Sequence, residues 1–179
     1  MIEMLVSETL KEGMKKEGDT KMLASDFPRN LQEMNIEDSS PIYIITRNKI
    51  LEEDRHPITG VEFERKIVDT TDGKIEGVFP KFESNFDAEI HQELYKESDS
   101  KQFEECIKQL KDKVSADETL RATFTEEQLE QIEDGETPDG YVWHHDAEPG
   151  KIQLVDFEIH AQTGHTGGRS IWGGGNENR

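Results

Sequence analysis

An α+β fold is predicted for this chain from three observations. A strand–turn–strand–short helix pattern occupies the segment from Asp139 to Gly175, a β-hairpin pattern precedes it, and a run of amphipathic helices lies between the two. The two periodicities involved, about 2 for strands and 3.6 for helices, separate the elements cleanly.

From the N-terminus, Ile2, Leu5, Val6, Leu10 and Met14 recur at helical spacing. Gly13 and Gly18 weaken that pattern, so one helix followed by irregular chain through Phe27-Pro28 is expected, within an extension spanning 1–47. Ile42-Tyr43-Ile44-Ile45, behind Pro41, reads as a buried strand. Val61, Phe63, Arg65 and Ile67 alternate with Glu62, Glu64 and Lys66, the signature of a half-buried strand. Asp72-Gly73 signals the hairpin turn that returns through Ile75–Phe79. Residues 100–136 are helical, with an apolar stripe at Phe103, Ile107, Leu110 and Val114. Capping boxes are expected at Ser115–Glu118 and Thr125–Gln128, and Gly135 closes the last helix.

Tyr141–His145, rich in aromatic and β-branched residues, then reads as a strand. Pro149-Gly150 is the turn, and Ile152–Val155 is the returning strand. Asp156 is placed to cap a helix that stops near Gly164. Four of the six histidines of the chain fall between His144 and His165, and both tryptophans lie between Asp139 and Gly175. Histidine is suited both to ligating a transition metal and to moving a proton near neutral pH. Neighbouring strand residues face opposite ways, so His144 and His145 divide into one ligand and one proton acceptor unless the strand bulges. His160 and His165 lie close enough in sequence to share a metal, and three ligands with an open fourth position make a catalytic arrangement. A closed structural zinc site usually uses cysteines, and the one cysteine, Cys106, is far away in sequence. Trp143 and Trp172 are read as core, and Gly173-Gly174-Gly175 as a flexible tail.

These residues carry a resemblance. Trp143-His144-His145, Gln153-Leu154-Val155, His160 and Gly164-His165-Thr166-Gly167-Gly168 resemble the WHH family of the HNH/endonuclease VII superfamily, which occurs mostly as C-terminal toxin domains of bacterial polymorphic toxin systems. His56–Phe63 and Glu76–Pro80 are similar to that family's upstream motifs. The resemblance implies a ββα-metal (HNH-like) nuclease core with an additional β-hairpin and a helical segment, occupying 48–179 with its active-site motif at 139–175. It implies one divalent metal ion (zinc, nickel, magnesium or manganese) held by His144, His160 and His165. His145 would be the general base. Gln153 stands where the superfamily usually has the asparagine that holds that base. It further implies a DNA or RNA substrate and a cognate immunity protein. His56, Arg65 and Arg169 are candidate substrate contacts. The alternative is a non-catalytic acidic interaction module with a structural metal site.

The net charge of −19 fits a phosphate-binding protein poorly. The acid is uneven, with a net −7 over 94–136 and −3 over 137–179, and a local cationic patch is expected from Arg55, Arg65, Lys66, Lys151 and Arg169. One cysteine excludes an internal disulfide framework. No run approaches the ~20 apolar residues a transmembrane helix needs, so no membrane partner is expected. The N-terminus lacks a signal peptide's apolar centre. A cytoplasmic protein, or one delivered to target cells without a cleaved N-terminal signal, is expected.

Overall fold

The computed structural model describes residues 22–23 and 40–175; the helix expected before residue 20 lies outside them. The described architecture is α+β, with eight strands in two sheets and four α-helices.

The first sheet is five-stranded, in the order β1 (Met22–Leu23), β2 (Ile42–Ile45), β5 (Gly73–Lys81), β4 (Glu62–Thr70), β3 (Asp54–Arg55). Its centre is the antiparallel β4–β5 hairpin, paired without interruption from Glu62↔Lys81 to Thr70↔Gly73. Strand β2 lies within the expected N-terminal extension, yet it pairs in parallel with β5 and buries Ile42 and Ile44.

The alternation in β4 buries less than its pattern promised. Phe63 is buried, but Ile67 is 58% exposed and Val68 is buried instead. The hairpin is covered on different faces at its two ends. Val61, Phe63 and Val78 pack with Phe82 and Val155 in one cluster, whereas Val68, Ile75 and Phe79 join the larger core. Ile67 falls on the first face, beyond the reach of that small cluster.

The second sheet has the order β6 (Ser84–Glu89), β8 (Lys151–Asp156), β7 (Tyr141–His145), all antiparallel. Between β6 and β7 the chain forms α1 (Asp99–Ala116), α2 (Glu118–Arg121) and α3 (Glu126–Asp134). Helix α1 buries Cys106, Ile107, Leu110 and Val114 against Trp143, Ile152 and Leu154 of the sheet. Thr125 and Gln128 form the expected reciprocal cap of α3. Ser115 does not cap a helix: it lies inside α1, and Asp117, whose carboxylate accepts two backbone N–H bonds, caps α2. A carboxylate there also faces the positive end of the helix dipole. Helix α4 (Phe157–Gln162) follows β8 directly, with the Asp156 side chain accepting from Ile159 N. No described helix is long and apolar enough to cross a membrane.

This second sheet separates two environments. Trp143, His145, Ile152 and Leu154 face α1, while Val142, His144, Gln153 and Val155 face the other way, toward α4 and Phe82. The alternation along β7 therefore decides which histidine meets which chemistry.

Candidate metal centre

His144 projects from β7, His160 from α4, and His165 from the loop after α4. Their ligand nitrogens lie within 4.8 Å of one another. His160 Nε2 is 3.3 Å from His144 Nδ1, and the ring centroids are 4.8–5.3 Å apart. Phe82, at the end of β5, touches all three rings at centroid distances of 4.7, 5.4 and 5.1 Å. An aromatic floor fixes the rings without competing for their nitrogens.

Local hydrogen bonds set the orientations. His165 Nδ1 is 2.6 Å from the Thr163 carbonyl, which can only accept, so Nδ1 carries the hydrogen and Nε2 is the ligating atom. Thr163 is buried, and its hydroxyl donates to Ile159 O and meets Thr59 Oγ1 at 2.6 Å. Thr59 in turn contacts His56 Nδ1. His56 thus sits one residue removed from the loop that carries His165 and braces it.

Burial pushes the His144 imidazole well below its ordinary pKa, helped by the charges of His165 and His160. Burial, with His165, lowers His160 to about 4. Burial and the charge of Arg47 lower His165, against an opposing hydrogen bond to Thr163. Three imidazoles held neutral near pH 7, converging, with an outer carbonyl fixing one tautomer, suit a borderline divalent cation. His160 and His165 are only partly buried, so the side facing solvent remains open to a further ligand.

His145 is not beside this cluster. It points through the sheet to α1, where it is 6% exposed and packs on Phe103 and Trp172. Its Nε2 is 2.6 Å from Gln102 Oε1. The amide of Gln102 has one possible orientation, because its Nε2 faces the carbonyls of Leu94, Tyr95 and Glu97, which only accept. His145 Nε2 must then donate, which leaves Nδ1 as the accepting nitrogen of a ring packed on the α1 side of the sheet. The resemblance implied a general base beside the metal ligands; the structure sets His145 on the opposite face of β7 from the three clustered histidines.

Gln153 sits directly opposite His144 but does not hold His145 either. Its amide donates to Asp87 Oδ1 on β6 at 3.0 Å. Burial raises the Asp87 carboxyl, but hydrogen bonds from Ser84 and Gln153 and the charge of Lys151 outweigh that and hold it below its usual range.

The expected cationic patch is neutralised residue by residue. Arg55 pairs with Glu62, Lys66 with Glu64, and Lys151 with Asp87. Arg65 is clamped by Glu52 and Glu76 and lies over the Tyr43 ring, so it does not serve as a free phosphate contact. Arg169 is buried, with Nη2 3.0 Å from Asp99 Oδ1, and Nη1 donates to Gly173 O. It fastens the C-terminal segment to α1 rather than facing substrate. That contact also orders Gly173, expected to be part of a flexible tail.

Next to the imidazoles opens a cavity of about 490 Å³, lined by Arg55, Thr59, Lys81, Glu83, Asp156 and Ile159 and floored by Phe82 and Val155. Phe82 lines this cavity and packs on all three imidazoles, which do not themselves line it, so the cavity adjoins the cluster across the Phe82 ring.

Sequence reading missed Phe82, Thr163 and Gln102. Only Gln102 left a signal: it falls four residues before Cys106 and eight before Leu110, on the buried stripe of α1, where a polar side chain must have buried partners.

No curated protein and no solved structure matches the chain. Residues 72–167, from the hairpin turn to the loop after α4, match the family model of the DNase/tRNase domain of colicin-like bacteriocin. That span covers more than half of the sequence and holds all three clustered histidines. The chain therefore belongs to the family of DNase/tRNase domains of colicin-like bacteriocins and is a nuclease toxin domain.

Proposed function

We propose that this domain is a metal-dependent endonuclease of the HNH type, hydrolysing phosphodiester bonds in DNA or RNA as the toxin of a bacterial polymorphic toxin system. The observation that carries the reading is the convergence of His144, His160 and His165, three neutral imidazoles brought together from β7, α4 and the loop that follows it. These three would hold one divalent cation. When bound, it would supply Lewis acidity, polarising the scissile phosphate and stabilising charge that develops on the leaving oxygen.

The protein's own contribution is placement. β7 fixes His144 through its ladder to β8. The Asp156 cap starts α4 so that His160 faces β7. The Thr163 carbonyl aims His165. Phe82 excludes water from beneath the rings. Producer cells would be protected by an immunity protein, and the acidic outer faces of α1 and α3 are a suitable part of its footprint if that partner presents a basic surface.

The test is cleavage of plasmid DNA and of total RNA by purified protein with Mg²⁺, Mn²⁺, Ni²⁺ or Zn²⁺, and with EDTA. Cutting with metal, its loss in EDTA, and loss of both metal and cutting in His160→Ala are expected. A protein that binds metal through these histidines, unfolds on chelation and never cuts would instead be an interaction module with a structural site.

A further inference from the structure

The loop bearing His165 has a second partner that lies outside the family match. Arg47 and Asn48 follow β2 and are tied to this loop at three points. The Arg47 backbone N–H donates to Thr166 Oγ1 at 2.9 Å, and Asn48 Nδ2 donates to the Gly164 carbonyl. The Arg47 guanidinium lies flat against Gly164. A Cβ added there would meet Arg47 Nε, Cζ and Nη2 at 2.6, 2.7 and 2.8 Å. A side chain at this position, one residue before His165, would displace the guanidinium.

The charge of Arg47 reaches the cluster, since it is among the causes that lower the His165 imidazole. The other arginines near the cavity are spent on carboxylates, as are Lys66 and Lys151, while Lys81 in the cavity wall makes no ion pair among the described residues. Arg47 is solvent-exposed and makes no ion pair among the described residues. An arginine held by its backbone N–H, with its guanidinium against Gly164 next to His165 and no carboxylate partner among the described residues, has the geometry of an oxyanion clamp.

We propose that Arg47 is the phosphate-binding residue of this nuclease, engaging a backbone phosphate of DNA or RNA next to the imidazole cluster. The assignment rests on the nuclease reading above. It gives a chain of net charge −19 one cationic contact for a polyanion, a guanidinium delivered to the site by a segment outside the histidine motif. Gly164 is then a specificity of shape, kept small so that the guanidinium can lie beside His165.

The experiment separates phosphate binding from metal chemistry. Metal-free protein in EDTA is titrated into a labelled 12-base-pair DNA duplex and a labelled RNA hairpin at several salt concentrations, and Zn²⁺ and Ni²⁺ affinities are measured separately. Arg47→Ala is expected to weaken nucleic-acid binding about ten- to a hundredfold. It should also reduce the slope of log affinity against log salt by about 0.9 for the duplex. Arg47→Lys should lie between, keeping charge but losing the fork. Lys49→Ala, which removes a nearby exposed cation, should change affinity little, and Gly164→Ala should reproduce part of the Arg47 loss. Metal affinity of Arg47→Ala should be unchanged or tighter, because a positive charge beside the site has gone. The proposal is overturned if Arg47→Ala binds nucleic acid as wild type does, if Lys49→Ala loses as much, if wild type shows no binding at low salt, or if metal affinity falls in parallel, which would make Arg47 a loop clamp. Should wild type cut nothing with any metal while Arg47→Ala still lowers binding, the nuclease reading fails and the phosphate contact stands.

Discussion

Burial lowers the pKa of all three clustered imidazoles, and that has a cost for the metal-free fold. In the unfolded chain a histidine takes up its proton near pH ~6.5, whereas folded His160 does so only at about 4. Between those values the unfolded state binds more protons, so stability rises with pH and is lost as pH falls from about 6.5 toward 4. His144 and His165, lowered for the same leading cause, add to the slope. The melting temperature of EDTA-treated protein is therefore expected to fall from pH 7 to pH 4, and His160→Ala should blunt the fall. A flat profile would mean that the rings are solvated. His145 belongs to a different chemistry on the other face of the same strand. His145→Ala is expected to lower the melting temperature, since it strands Gln102 Oε1 in the core at a cost on the order of 1–3 kcal/mol. Loss of cutting with unchanged melting and metal content would return His145 to the role of proton acceptor.

The β7–β8–α4 unit and its following loop act as a single device because the chain turns back onto itself at Gly168. A Cβ there would collide with the Asp146 carbonyl and the Trp172 indole, whose Nε1 donates to that same carbonyl. Gly168→Ala is expected to destabilise by about 1–3 kcal/mol through overpacking and to weaken metal binding, because the loop carrying His165 must shift. Equal metal affinity in that variant would show that the loop position does not matter. This unit was also the most legible part of the sequence. Its strands are short and β-branched, its turn is Pro149-Gly150, and Asp156 caps its helix as the residue pattern said. β6 was not legible: Ser84–Glu89 is mostly polar and exposed, with one buried residue, Ala88, and is a strand only because β8 supplies the ladder. Ile67 was misplaced because periodicity says which residues share a face, not how far along the strand that face stays covered. The site showed the same limit. Spacing nominated His160 and His165 and the resemblance chose His144 over His145, but side-chain direction, which moves His145 away and leaves Gln153 holding Asp87, is a tertiary outcome.

Across the whole molecule, charge decides how substrate can be held. The sequence suggested five cations for a binding patch, and each of the five has a carboxylate partner. Few phosphates can then be neutralised by protein alone. The dependence of log affinity on log salt for duplex DNA is expected to be shallow, with a slope of about −1 to −3, corresponding to roughly one to three phosphates. A slope near −6 or steeper would point to a basic surface formed by residues beyond those described. With so little electrostatic grip elsewhere, the proposed chemistry depends on a cation that the three imidazoles would hold. X-ray absorption on the Ni²⁺- or Zn²⁺-loaded protein tests it most directly. Three imidazole nitrogens at about 2.0–2.1 Å, with the remaining position filled by an exchangeable oxygen, are expected. Fewer than three imidazoles, or four around a closed ion, would contradict it.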